Sequence, residues 1–547
     1  MVMLETSLQN INGYMKKPLT ITKLEETLYQ MGLELEDANP AETKIDITAE
    51  RADLVSTPGL ARALNAFLGY TKGVPSLEKK KSDYKVILEK SVQPVRPYTA
   101  AFVVKNVRLD EEKLKEIIWV QEKLHATFAR DRKKASIGIY PLSVIHWPIS
   151  FKGMKPHEIK FQPLEMQTTL TGKEILEQHP KGKKYAHLLK DLPIYPVFMD
   201  AKNNVLSMPP IINSHTAGKV TEKDRELFVE VSGHYWPTQS AICDILALLF
   251  SDMGGEIYEV HVEFPERTIS TPELHMHEHV LEVELVNQTL GTNLQADKIV
   301  PLLESMMYNV TKVNPKQITV QHPLFRADVL HPLDLVDDIA RAYNYANLKP
   351  VAPEVYTVGG ILPQTQFEDD VKSCLVGLGF QEVITWVLTS HEHHFAAFNR
   401  EESEHVKLGM VKEQGLTMCR NMLYPETMRA LLANRSKRLP FKLFEVGHVI
   451  VVDAKTDTGT RTRSKLCVVL AHATSSFTEM KAIAEAIARQ IGVQATYSTE
   501  KLPGFIEGRT AKMQVGKLGG FMGEMHPEIL QRLGIQVPVT ILEMDLE

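Results

Sequence analysis

The stretch ADVLHPLDLVDDIARAYNYANLKP, residues 327–350, places Asp328, Asp334, Asp337 and Asp338 within eleven residues. His331 and Pro332 are helix-opening residues, and Asn344 lies near the expected end. At about 100° per residue, Asp334, Asp337 and Asp338 share one arc. Leu335, Val336, Ile339 and Tyr343 share the other, and Arg341 projects into the acidic stripe one turn beyond Asp337. Two readings of the acids stand side by side. Carboxylates in a first turn favour the helix dipole, each by roughly 0.3–1 kcal/mol, and Arg341 supplies an i,i+4 partner. Alternatively the acids form a hard-cation site, since Mg²⁺ takes oxygen ligands and keeps several waters.

Around this helix lies a chain of 547 residues, too long for one core, for which roughly three or four domains is the natural division. It is 44% hydrophobic and 24% charged. No run approaches the roughly 18 apolar residues of a membrane span, and MVMLETSLQN has no basic stretch leading into an apolar one, so neither membrane nor secretion is expected. Cys243, Cys374, Cys419 and Cys467 are far apart, which argues against a zinc cluster or disulfide framework and fits a reducing cytoplasm. A net charge of −6 excludes the whole surface as a nucleic-acid footprint. Any RNA contact falls to a local basic patch or a partner; EKKK (78–81), ARDRKK (129–134) and KGKK (181–184) are such patches or ordinary solvated faces.

The pattern predicts an α+β, multidomain chain. Residues 1–76 form a small N-terminal domain, with Thr57 as N-cap, Pro58 in the first turn and Gly69 as the stop of one helix. Residues 84–265 mix strands with two long helices. The first, EEKLKEIIWVQEKLHATFARDRKK, has Leu114, Ile117, Ile118, Gln121 and Leu124 on one face. Residues 270–350 form a small, largely helical block carrying the acidic helix. Residues 354–547 hold a helix ending at Gly379, then FKLFEVGHVIVV, KLCVVLAHA, AKMQVGKLGGFMGEM and VPVTILEMDL as strands of a large, mostly antiparallel sheet. In LFVEVSG, Glu230 and Ser232 alternate with Val229 and Val231, which directs both to one face.

Six segments resemble, in order, the β subunit of phenylalanyl-tRNA synthetase in its archaeal/eukaryotic form. They are ERADLVSTPGLARALNAFLGY, QEKLHATFARDRKKASIGIY, NSHTAGKV, FRADVLHPLDLVDDIARAYNYANL, FEDDVKSCLVGLGFQEVITW and GEMHPEILQRLGI. The resemblance implies an N-terminal structural domain, a B3/B4-like editing domain, a B5-like, nucleic-acid-binding-like domain and a catalytically silent class II synthetase-like sheet domain. Relative to the bacterial form, it implies a chain without the N-terminal tRNA-binding module and the C-terminal anticodon-binding domain. It also implies an α subunit that binds ATP and phenylalanine, an (αβ)₂ heterotetramer that charges tRNA(Phe), and hydrolysis of mischarged Tyr-tRNA(Phe) by β. Silence fits the residues: MCRNMLYPETMRALLANRSKRLPFKLFEVGHVI has no clear phenylalanine-arginine-x-glutamate strand. IEGRTAKMQVGKLGGFMGEMHPEIL lacks the third class II pattern, so Gly508-Arg509 and Gly519-Gly520 read as turn residues.

Carried over by position, the family's Mg²⁺ ligands, shared with α, match Asp328, Asp334, Asp337 and Asp338. Asp337 stands where the pattern tolerates glutamate. On this reading the helix is anchored by its apolar face and its carboxylates point outward to a partner. A hydrophobic pocket alone rejects a substrate that merely adds a hydroxyl by only about a hundredfold, so a second hydrolytic site is useful. The similar archaeal motif points to Glu230 for the tyrosine hydroxyl, with Ser232, Ser207 and Asn213 at other pocket positions. Against this, Asn213 and Ser214 are ordinary turn formers and Ser232-Gly233 an ordinary strand exit. Arg130, Arg132 and Lys133 are candidates for holding the tRNA 3′ end. Pro141 departs from the family's usual acid. No Ser-His-Asp or Cys-His arrangement is evident, so on the editing reading hydrolysis need not use a protein nucleophile, and the substrate's ribose hydroxyl is one candidate for positioning water. His275, His277 and His279 fall on one strand face and HEHH (391–394) adds more, but without a Cys or carboxylate at ligand spacing they read as structural, as do His472 and His526. Two other classes stay open: a non-enzymatic tRNA- or DNA-binding scaffold and a stand-alone editing hydrolase.

Overall fold

The computed structural model describes residues 2–352, 357–410 and 415–547. The chain divides into two compact units, Met1–Ala352 and Pro353–Glu547. The expected start of the last block, at residue 354, lies outside the described residues. No helix among the described residues is long and apolar enough to cross a membrane.

In the first unit, strands Val2–Thr6, Thr43–Ile47 and Glu34–Asp37 form a small sheet in that order. Helix Thr57–Phe67 follows; its cap is Ser56, one residue before the expected Thr57, whose Oγ accepts from Gly59 N at 3.0 Å. An 11-stranded sheet comes next. In it, strand Leu227–Gly233 lies between Tyr98–Lys105 and Ala135–Pro141, antiparallel to both. Helix Trp236–Asp252 is buried almost all round, so it carries a continuous apolar run rather than a stripe. The N-terminal residues and this block share one apolar core, in which Leu24 and Leu60 join Phe102, Val229 and Phe250.

The helix expected over residues 111–134 ends at Ala126. Beyond it Arg130, Asp131 and Arg132 take positive φ, a left-handed run that cannot extend an α-helix. The block after residue 270, expected to be largely helical, holds a sheet as well. Strands Met276–Glu282, Gln317–Pro323 and Asn309–Val313 form a three-stranded antiparallel sheet backed by helices Val283–Leu290, Ala296–Ser305 and Pro332–Tyr343.

The second unit is a 7-stranded sheet, antiparallel except for its short edge strand Gln381–Glu382. Both faces are covered. Leu466, Val468 and Leu470 pack toward helices Pro363–Gly377 and Phe477–Gln490. Cys467, Val469 and Ala471 pack toward Tyr424–Ala433 and Pro527–Arg532. A strand buried on both sides reads as an unbroken apolar run, which is why KLCVVLA does not alternate. Gly379 has φ +82 after the helix it was expected to end. Gly519 and Gly520 lie in strand Leu518–Met525, and Gly508 at an irregularity in Phe505–Val515, so neither pair forms the expected turn.

Candidate functional site

Strand Ala135–Pro141 is paired on one side only. An open edge leaves unpaired backbone groups, and helix Glu111–Ala126 supplies partners for two of them. Gln121 Nε2 donates to Ile137 O at 2.9 Å, and Ile137 N donates to His125 Nε2 at 2.8 Å. A cavity of about 400 Å³ lies around this edge. Leu114, Ile117 and Ile118 form one wall, the segment from Ser207 to Asn213 another, and Glu230 lines it too. The half-apolar helix face seen in the sequence is therefore a pocket wall, and this explains why Ile118 is 58% exposed.

Glu230 is 1% exposed. Its register partner is Gly138, where a Cβ would lie 2.2 Å from Tyr140 Oη and 2.4 Å from Glu230 Oε1. Only glycine leaves room for both groups. Tyr140 Oη donates at 2.8 Å to Ser207 Oγ and at 3.1 Å to Glu230 Oε1, so it links opposite ends of the curled sheet. Glu230 Oε2 is buried without a partner. Burial pushes the Glu230 carboxyl up to about 8; Arg96 and the neighbouring hydroxyls of Tyr140 and Ser232 offset this only in part. Burial and Glu230 also hold the Tyr140 phenol well above its ordinary value.

Of the four residues singled out in the sequence, Ser207, Asn213 and Glu230 line the cavity. Ser232 instead turns toward buried Arg96, whose Nε lies 3.1 Å from Ser232 Oγ and whose Nη2 lies 2.9 Å from Ser136 Oγ. Burial lowers the Arg96 guanidinium to about 10. Arg130 and Lys133 are exposed, whereas Arg132 is buried and committed to the fold. Its Nη1 donates to Pro210 O and Ile211 O, each at 3.1 Å, and its Nη2 to Glu122 at 3.0 Å. It braces the cavity wall and is not free for a phosphate. Tyr140, Arg96, His125 and Gly138 were not picked out from sequence. The one available signal was the glycine inside ASIGIY, since a strand glycine marks close approach.

The acidic helix spans Pro332–Tyr343, as its ends predicted, with His331 as cap. The four carboxylates, Asp328 upstream and Asp334, Asp337 and Asp338 on the helix, do not share a face. Asp338 is 5% exposed and points inward, where Arg326 Nη2 lies 2.6 Å from it and Tyr308 Oη donates at 2.5 Å. Arg326 also holds Asp328 at 2.7 Å. Asp334 closes a capping box, accepting from Leu330 N at 2.8 Å and His331 N at 2.7 Å. Asp337 pairs with Arg341 at 2.8 Å and accepts from Tyr345 Oη at 2.9 Å. Burial alone would raise the Asp338 carboxyl; Arg326 and Arg51 outweigh it and hold the group below its ordinary value. Among the described residues no three His, Cys, Asp or Glu side chains converge as metal ligands. A buried guanidinium neutralises two of the four acids, Asp328 and Asp338, while Asp337 stays exposed; the Mg²⁺ site expected from the resemblance is one shared with an α subunit, of which these residues are this chain's half. The outward orientation expected for all of them fails at Asp338, whose position at the boundary of the apolar arc is settled by Arg326 from the segment just before the helix.

In the second unit, Arg420 is 2% exposed and pairs with Glu445 at 2.8 Å. Arg509 pairs with Glu524 at 2.6 Å. His394 is buried beside Asn421, His472 pairs with Glu479 at 2.9 Å, and His526 caps helix Pro527–Arg532.

Two family models match: the phenylalanyl tRNA synthetase beta chain CLM domain over residues 348–546 and the tRNA synthetase B5 domain over residues 279–345. Both describe parts of aminoacyl-tRNA synthetases, and this fixes the class of the chain as a synthetase subunit. Phenylalanine–tRNA ligase β subunits of Thermococcus sibiricus and Pyrococcus furiosus are each 35% identical to it, over 97% of this chain and 96% of the relative. A crystal structure of an N-terminal fragment of the Pyrococcus horikoshii phenylalanyl-tRNA synthetase β subunit superposes with TM-score 0.59 at 34% identity, covering 62% of this chain and 99% of the fragment. The chain belongs to the family of phenylalanine–tRNA ligase β subunits.

Proposed function

We propose that the chain is the β partner of a catalytic α subunit in an (αβ)₂ phenylalanine–tRNA ligase, and that its cavity hydrolyses mischarged Tyr-tRNA(Phe). ATP and phenylalanine are bound by α. The class II-like sheet of residues 357–547 serves as scaffold, in keeping with arginines already tied to Glu445 and Glu524.

The observation that carries the editing reading is the unpartnered Oε2 of the buried Glu230 carboxyl in an otherwise largely apolar cavity. A tyrosyl group entering with its ring against Ile117 and Ile118 finds a partner for its phenol there. A phenylalanyl group leaves that oxygen unsatisfied. Buried hydrogen-bonding groups of this kind discriminate far better than apolar fit, because the wrong substrate strands them. Tyr140, itself held by Ser207, orients the other oxygen of the same carboxyl group. No side-chain nucleophile is needed: the cavity positions the ester, and the substrate's vicinal ribose hydroxyl aids a water.

Tyr-tRNA(Phe) deacylation by the assembled ligase carrying Glu230→Ala tests this, with phenylalanylation as control. Deacylation is expected to fall at least tenfold while phenylalanylation persists. Unchanged deacylation would remove Glu230 from the reaction.

A further inference from the structure

The acidic helix accounts for its own carboxylates, but a neighbouring group of side chains has no assigned use. His275, His277 and His279 alternate along strand Met276–Glu282 and its entry, so they share one face. His277 is the register partner of His322 on the adjacent strand. Ring centres lie 5.6 Å apart for His275–His277, 5.5 Å for His277–His322 and 5.2 Å for His279–His322. Imidazoles around a tetrahedral ion with metal–nitrogen bonds of about 2.0–2.1 Å have centres about 5 Å apart.

His322 adds an independent observation. It is 2% exposed, and its Nδ1 lies 3.2 Å from Pro323 O. A carbonyl can only accept, so the proton sits on Nδ1 and the lone pair on Nε2. That Nε2 is buried with no partner. A ring nitrogen tied to a backbone carbonyl, with its opposite nitrogen free, is the arrangement of a metal-ligating histidine. Burial brings His322 down to about 4 and also lowers His277, whose neighbours His275 and His279 add to the effect. Neutral imidazoles bind a metal without first losing a proton.

We propose that His277, His279 and His322 form a site for a late first-row transition-metal ion such as Zn²⁺, with His275 or water as the fourth donor. The donor set is all nitrogen, which suits zinc, cobalt, nickel or copper and not Mg²⁺. In the present rotamers the His279 ring lies within 8° of parallel to His322, and no three ligands converge. Binding requires His277, which is exposed, and His279, which is half-buried, to turn about their Cβ–Cγ bonds. That torsion has a broad, shallow profile, and turning it moves the ring centres little.

The test is titration of the chelator-treated full chain with Co²⁺, followed by visible absorption, with Zn²⁺ as competitor. One equivalent is expected to give an intense tetrahedral spectrum that Zn²⁺ abolishes. His277→Asn with His279→Asn, both on the accessible side and so compatible with folding, is expected to weaken binding more than tenfold. His391→Asn with His393→Asn, in the other histidine cluster, should leave it unchanged. Absence of a tetrahedral band at one equivalent, or a band unaltered by the His277/His279 pair, overturns the proposal.

Discussion

Glu230 bears the clearest consequence at the scale of single residues. Its carboxyl is raised to about 8 in the fold, whereas an unfolded glutamate titrates near 4.5. Between those values the folded chain holds a proton that the unfolded chain has released, so this group's contribution falls as pH rises through the window. The slope approaches ~1.4 kcal/mol per pH unit. Glu230→Gln removes the titration. Compared with wild type, its melting temperature should lose less between pH 5 and 8, and parallel curves would contradict the assignment. Tyr140→Phe acts on the same carboxylate by another route. It leaves Ser207 Oγ and Glu230 Oε1 without their donor, at a cost of about 1–3 kcal/mol, measurable as a lower urea midpoint. If Tyr140 only fills space, the two proteins unfold together. The resemblance singled out Glu230, and strand alternation only set it on one face with Ser232. The sequence could not show Tyr140, because the partnership between residues 140, 207 and 230 exists only once the sheet has curled.

The acidic helix sets the predictions at the scale of elements. Its start, end and apolar stripe were legible from His331-Pro332, Asn344 and the spacing of Leu335, Val336 and Ile339, since those signals are local. The direction of Asp338 was not, because helical periodicity records the helix and not what packs against it. Arg326, fully enclosed and bonded to Asp328, Asp338 and Met306 O, decides that direction. Arg326→Met strands buried carboxylate charge and should cost about 3–5 kcal/mol. Asp337→Asn breaks only a half-exposed i,i+4 pair and should cost less than ~0.5 kcal/mol. Urea unfolding followed by tryptophan fluorescence separates them, since Trp119, Trp147 and Trp236 all lie in the first unit. Equal losses for the two variants would mean that Arg326 is not the neutralising charge.

For the whole molecule, the chain divides into Met1–Ala352 and Pro353–Glu547, and the blocks read separately in the sequence, 1–76, 84–265 and 270–350, fall within the first unit. Their common core is assembled from residues as far apart as Leu4 and Phe325, and no local pattern encodes such contacts. The sheet of the second unit was legible strand by strand because its apolar runs are long. What its polar residues do depends on pairings across the fold: Arg420, just after the short strand Met418–Cys419, meets Glu445, and Lys465 meets Asp545 at 3.0 Å. An ATP site needs arginines free to engage phosphates, and a guanidinium held by a buried carboxylate is already neutralised. The isolated chain should therefore show no phenylalanine-dependent exchange of pyrophosphate into ATP, and exchange should appear only when a catalytic α subunit is added. Releasing Arg420 with Glu445→Gln should not create the activity, because the pairing fills a core and does not cap a ready site; it should instead lower the melting temperature of the second unit. Exchange by the unmixed chain, or its appearance in that variant, would show that the sheet retains a synthetic centre.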